Sequence, residues 1–196
     1  MGKAERTRQF IIETAAPIFN TKGIAGTAIS DILSATKLAK GGLYGNFSSK
    51  EEMVMEVFDY ITVRNKQHLL SVTAGAATAR EKFEALFDHY ARYPMSETLG
   101  GGCPIINFGA EADDTNPGLK KKVGELIRYY QSRIELLVQL GKDKGEFHPD
   151  WDGKKFAVQM FTMLEGAVLV TKVLNSNKQM LVVLDFLRAV VQQHTL

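Results

Sequence analysis

Residues 27–58 read TAISDILSATKLAKGGLYGNFSSKEEMVMEVF, and this stretch decides the fold. Thr27 is placed to cap a short helix over residues 28–36, whose Ile29, Ile32 and Leu33 share one face. A tight turn at Lys37 and Leu38 leads into a second short helix over residues 39–46, which ends at Phe47. Ser49 followed three residues later by Glu52 is a capping box, and it opens a long helix to about Ser71. Upstream, Phe10, Ile11, Ala15, Ile18 and Phe19 recur at three- and four-residue steps, which predicts a helix over residues 4–22 closed by Gly23. A supporting helix followed by two short helices across a tight turn describes a helix-turn-helix. Ile29, Ile32, Leu33, Leu38 and Leu43 supply the apolar crossing. Thr36, Lys37, Lys40, Tyr44 and Asn46 are the polar groups available to a DNA groove. Gly41 and Gly42 each cost about 1 kcal/mol of helix propensity relative to Ala, a cost that makes sense where backbone must approach DNA closely.

The charge distribution agrees. Residues 1–50 carry a net +4 and the remainder −2, within an overall +2. A basic head on a slightly acidic body suits a nucleic-acid contact confined to the N-terminus. The 45% hydrophobic and 23% charged composition excludes a disordered chain. The single cysteine, Cys103, excludes an intramolecular disulfide framework and a cysteine-cluster zinc site, and it fits a reducing compartment. Charges in MGKAERTRQF stand where a signal peptide needs an apolar run, so a cytoplasmic protein is expected. The apolar run 156–174 is interrupted by Gln159, Glu165 and Lys172 and reads as a buried helix and not a membrane span.

Helical periodicity continues to the C-terminus, and no alternating strand run of useful length occurs. Further helices are expected over residues 79–93, stopped at Pro94, from Pro104 with Cys103 as cap, from Pro117 to about Leu140, and over 154–174 and 178–193. Residues 95–102 read as a flexible connection, and 141–153 as a polar loop holding the one Trp, Trp151. The expected fold is all-α with about nine helices, divided into residues 1–48 and 49–196.

The motif resembles the DNA-binding region of the TetR family of bacterial transcriptional repressors. Gly23, Thr27, Ile29, Ile32, the run Lys40-Gly41-Gly42-Leu43-Tyr44, Phe47 and Ser49-Lys50-Glu51 carry the resemblance, over residues 6–58. It departs at Gly45 and Asn46, which face the groove, so an operator sequence does not carry over. The resemblance implies that Thr27, Tyr44 and Lys50 touch phosphates. It places Thr36, Lys37, Lys40, Gly42 and Asn46 at the groove or its rim. It also implies a C-terminal domain that binds a small-molecule inducer and forms a homodimer.

Candidate inducer-lining residues are Phe87, Tyr90, Cys103, Asn107, Phe108, Glu111, Tyr130, Phe161 and Glu165, a mixture of aromatic and polar groups that suits a medium-sized apolar ligand. The last two helices are apolar over more than one face, which calls for a second copy, and charges at Leu184 or Leu187 are expected to break the dimer. Cys103, between three glycines and Pro104, is either a reactive sensor thiol or a structural cap. No cofactor, metal site or membrane contact is expected, and no nucleophile or acid–base set suggests an enzyme. The expected function is therefore a repressor that binds a palindromic operator as a homodimer and is released by a small molecule. The alternative is a ligand-binding or interaction protein of the same fold without specific operator binding.

Overall fold

The computed structural model describes residues 2–92 and 101–196. The expected stop at Pro94 and most of the 95–102 connection lie outside the described residues. Among those described there are nine helices, and the one extended pairing is an isolated bridge between Phe147 and Thr195. The helices are α1 (Lys3–Gly26), α2 (Ile29–Thr36), α3 (Lys40–Tyr44), α4 (Lys50–Thr73), α5 (Ala79–Ala91), α6 (Pro104–Ala112), α7 (Pro117–Asp143), α8 (Gly153–Leu174) and α9 (Lys178–Gln193). The chain forms two compact units, Met1–Asn65 with Thr98–Val123, and Lys66–Glu97 with Gly124–Leu196. This division differs from the expected one at residue 48, because the first two-thirds of α4 and all of α6 pack with the head. α4 and α7 each run from one unit into the other.

In the first unit α1 packs against both α2 and α6. Ile11, Ile12, Ala15, Ala16 and Phe19 form its buried stripe, joined by Ile32, Leu43, Phe47, Val57 and Phe58. Phe10, expected on that stripe, is 46% exposed, because Ile12 and not Phe10 continues the row through Ala16 and Phe19. α1 breaks at Gly23, whose φ of 76° is a left-handed conformation that glycine adopts without a Cβ penalty.

In the second unit α9 packs against α5 and α8. Its centre is aromatic. Phe83 lies within 6.2 Å, centroid to centroid, of Phe87, Phe147, Trp151 and Phe156. α7 runs past the expected Leu140, and the 144–152 loop folds inward, burying Trp151 against His194. Leu184 and Leu187, expected on a dimer face, are instead fully buried within the chain. Exposed apolar side chains on these two helices include Leu169, Val170, Val173 and Leu174 near the end of α8, with Leu181, Val182 and Phe186 on α9. By length and composition α8 alone among the described helices could cross a membrane, with mean hydropathy 1.4 over an 18-residue window of which 33% is buried.

Candidate nucleic-acid interface and effector residues

The turn between α2 and α3 is built from α2's own end. Lys37 adopts a left-handed conformation (φ 59°), and its amide donates to Leu33 O at 2.9 Å. Thr36 Oγ1 donates to Ile32 O at 2.8 Å and accepts from the Leu38 amide at 3.4 Å. Thr36 is therefore buried inside the turn, and its hydroxyl is turned to the fold and away from the expected groove contact. Thr27 is buried too, donating to Gly23 O at 2.6 Å. The cap of α2 falls to Ala28, whose amide is held by Asp31 at 3.0 Å. Both threonines, expected at phosphates or the groove rim, are thus buried with their hydroxyls on carbonyls of the fold.

α3 turns only Leu43 into the core. Lys40, Gly41, Gly42 and Tyr44 are exposed on this five-residue helix, with Lys37 exposed in the turn before it. Lys40 Nζ lies 5.9 Å from the Tyr44 ring centroid. Asn46 Nδ2 donates back to Gly42 O at 2.8 Å, which ties its amide to the end of the helix. Lys50 Nζ donates to Ile24 O at 2.6 Å. An ammonium has three donors, so this bond leaves Lys50 capacity for a phosphate.

Arg8 ties the segment that follows α3 to the start of α4. Its guanidinium lies 4.1 Å from the Phe47 ring centroid, and it donates to Asn46 O, to Glu52 and to Glu56. Charge-assisted bonds of this kind are the stronger class of hydrogen bond. Ser48 and Arg8 together hold the Glu52 carboxylate ionised, bringing its pKa down to about 2. The two carboxylates push the Arg8 pKa above its already high ordinary value. Nothing local in the sequence points to Arg8, because its partners lie 38–48 residues away.

The expected inducer residues divide between the two units. In the first, Asn107 Nδ2 donates to Asn20 O (2.7 Å), Asn20 Oδ1 (3.1 Å) and Gly101 O (2.9 Å). Glu111 accepts from the Ile24 and Ala25 amides, each at 2.7 Å. Phe108 is buried against Phe58, with ring centroids 5.5 Å apart. Cys103 is the N-cap residue of α6 and half-buried. In this unit the polar groups expected to meet a ligand are thus engaged with α1.

In the second unit Phe87 is fully buried beside Phe83, whereas Tyr90, Tyr130, Phe161 and Glu165 are half-buried. Two residues outside the expected set stand beside them. His68 and His89 meet edge to face with centroids 4.9 Å apart, and His89 also touches Tyr90 at 5.4 Å. His68 Nε2 is buried without a hydrogen-bond partner among the described residues. Burial, then the charges of His68 and Arg92, push the His89 pKa down to about 4, so it is neutral at physiological pH. Scattered singly along the sequence, these histidines show no motif spacing.

Residues 11–57 match the sequence profile described as bacterial regulatory proteins, tetR family, and residues 79–187 match that of the tetracyclin repressor-like C-terminal domain. The chain belongs to the TetR family. A TetR-family transcriptional regulator from Cytophaga hutchinsonii has a similar structure, with TM-score 0.94, 34% identity, and coverage of 100% of this chain and 98% of that one. The HTH-type transcriptional regulator TtgR of Pseudomonas putida is 35% identical over 85% of this chain and 80% of its own length. The HTH-type transcriptional repressor KstR2 of Mycobacterium tuberculosis is 30% identical over 77% and 74%. The chain is thus a TetR-family transcriptional regulator, and the α2–turn–α3 segment is its helix-turn-helix.

Proposed function

We propose that this TetR-family regulator is a cytoplasmic repressor that binds a palindromic operator as a homodimer and leaves it when a small molecule binds. The observation that carries this reading is α3, which buries one residue and presents Lys40, Gly42 and Tyr44 outward beside Lys37. A helix that spends two exposed glycines and a lysine on its outer face is suited to lie against a groove edge and its phosphates. Lys50 and Asn46 complete the contact set in this reading.

The exposed apolar face of α8 and α9 supports a homodimer. Val173 is 72% and Val182 70% exposed, and their neighbours Leu174 and Phe186 are exposed as well. Two copies of this helix pair would cover these side chains in a four-helix arrangement about a two-fold axis. The inducer reading rests on the second unit, where Phe87, Tyr90, Tyr130, Phe161 and Glu165 share the unit with the half-buried imidazole pair. Aromatic walls with a few buried polar groups suit a largely apolar ligand carrying a hydrogen-bonding group. Because α4 passes through both units, ligand binding in one has a covalent route to the other. The mechanism is a shift between two states, one of which matches the operator's half-site spacing.

Selection of bound duplexes from a random pool tests the proposal. Enrichment of an inverted repeat, with half-site centres about 34–36 Å or a multiple apart, is expected. Recovery of unenriched DNA would favour a ligand-binding protein of the same fold.

A further inference from the structure

The end of α1 is gripped by residues that belong neither to α1 nor to the helix-turn-helix. After the left-handed Gly23, the amides of Ile24 and Ala25 converge on Glu111 of α6, one on each carboxylate oxygen at 2.7 Å. Successive amides after a left-handed residue form an anion-binding concavity, and here an internal carboxylate fills it. A Cβ at position 23 would overlap Glu111 Oε1, so a larger residue there would have to push the carboxylate off these amides. The carbonyl of the same Ile24 is held from the other side by Lys50 Nζ of α4 at 2.6 Å. One α6 turn earlier, Asn107 binds the Asn20 carbonyl and side chain, and Asn20 Nδ2 donates to Gly102 O at 3.0 Å. Gly101 packs so closely on Asn20 that a Cβ there would overlap its carbonyl.

The consequence follows from where these contacts fall. Residues 20–25 span the Gly23 break near the end of α1, just ahead of Thr27 and Ala28, which lead into α2. Their backbone path fixes the direction in which α2, and hence α3, leaves the supporting helix. Asn107 and Glu111 are four residues apart on one face of α6, so both reach the same short segment. Glu111 is half-buried with both carboxylate oxygens engaged by these amides, and its negative charge would be repelled by a phosphate.

We infer that Glu111, assisted by Asn107, is a positioning residue for operator recognition, acting through the Ile24–Ala25 amides on the pose of the helix-turn-helix. The inference rests on the proposed operator binding. It separates two quantities that a general loss of folding would move together. Non-specific DNA binding depends on surface cations, whereas specific binding also needs α3 held in the right orientation. Removing the carboxylate leaves the cations in place and frees the junction.

The test uses the full-length protein, a duplex enriched from the random pool, and an unselected duplex of the same length. Glu111→Ala should lower the ratio of specific to non-specific affinity by about 10- to 100-fold. Non-specific affinity and its salt slope should remain as in the wild type. Glu111→Gln keeps one acceptor oxygen and should retain much of the ratio. Hydrogen exchange over residues 20–30 should speed up in Glu111→Ala, with the α8 and α9 segments unchanged. A Glu111→Ala protein with wild-type ratio and wild-type exchange at Ile24 and Ala25 overturns the inference. So does parallel loss of both affinities in Glu111→Ala and Glu111→Gln alike, which marks a folding defect. A wild-type protein with no preference for any duplex instead overturns the operator reading on which the inference rests.

Discussion

Truncating Val182 and Phe186 together to alanine should convert the dimer to monomer at working concentrations while leaving the fold intact. In the single chain Val182 is 70% and Phe186 53% exposed, so neither is part of the core. Full burial of such a side chain is worth about 1.5–3 kcal/mol, so covering the exposed fractions is worth about 1–2 kcal/mol from each. A two-fold interface repeats every contact, which brings the pair to about 4–8 kcal/mol per dimer. Alanine keeps a methyl, and areas overstate affinity, so at least a 100-fold, roughly 3 kcal/mol, weakening of the dimer is the conservative expectation. Sedimentation equilibrium from nanomolar to micromolar concentration measures it, with circular dichroism to verify unchanged helicity. Operator binding should become weaker and more concentration-dependent, since two half-sites need two recognition helices. Truncation of the buried Leu184 provides the contrast: it should cost about 2–5 kcal/mol of folding stability without specifically weakening association. An unchanged dissociation constant in the double variant would refute the assignment of the α8–α9 face.

Four further outcomes follow. Lys40→Ala should weaken binding to all duplexes and lower the salt slope by about one unit; Lys50→Ala should do the same, and an unchanged slope would leave Lys50 only its bond to Ile24. Phe83→Ala, which empties the centre of the aromatic cluster, should cost about 3–5 kcal/mol and lower Tm by about 6–20 °C in a scanning melt. Two groups make stability fall with acid, because the unfolded chain binds more protons than the folded one. The His89 contribution is lost as pH drops from 6.5 towards 4, and that of Glu52 from 4.5 towards 2; His89→Phe and Glu52→Gln should each flatten melting temperature against pH in its own window. As a sensor thiol, Cys103 once alkylated should make the protein release operator; Cys103→Ser should bind DNA normally and no longer respond to the alkylating agent.

Much of the fold is written in local signals. The α9 bounds follow from periodicity alone, α6 begins where Pro104 demands, and Gly23 marks the break in α1. Signals that several neighbours can satisfy are less decisive. Thr27 has the chemistry of a cap, yet Ala28 takes that place because Thr27 Oγ1 is used on Gly23 O. Of the Ser49–Glu52 box only the bond from the Glu52 amide to Ser49 Oγ forms as expected, while the Glu52 carboxylate accepts from Ser48. The least legible features are long-range. Asn107 and Glu111 are polar residues on a mostly apolar helix, and the sequence suggests a ligand for them. Their partners on α1 are 86 and 87 residues away, and only the folded chain brings them together. Leu184 and Val182 show the same limit: both are apolar positions in one helix, and neighbouring helices decide which is buried.

The central claim is that α3 and its flanking lysines bind a specific DNA sequence. Titrating the enriched duplex and an unselected one across a range of salt concentrations tests it most directly. The account predicts a linear fall of log K with log salt for both duplexes, whose slope counts phosphate contacts, and a preference of about 10³-fold or more for the enriched duplex. Equal affinity for the two duplexes, or binding insensitive to salt, would contradict it.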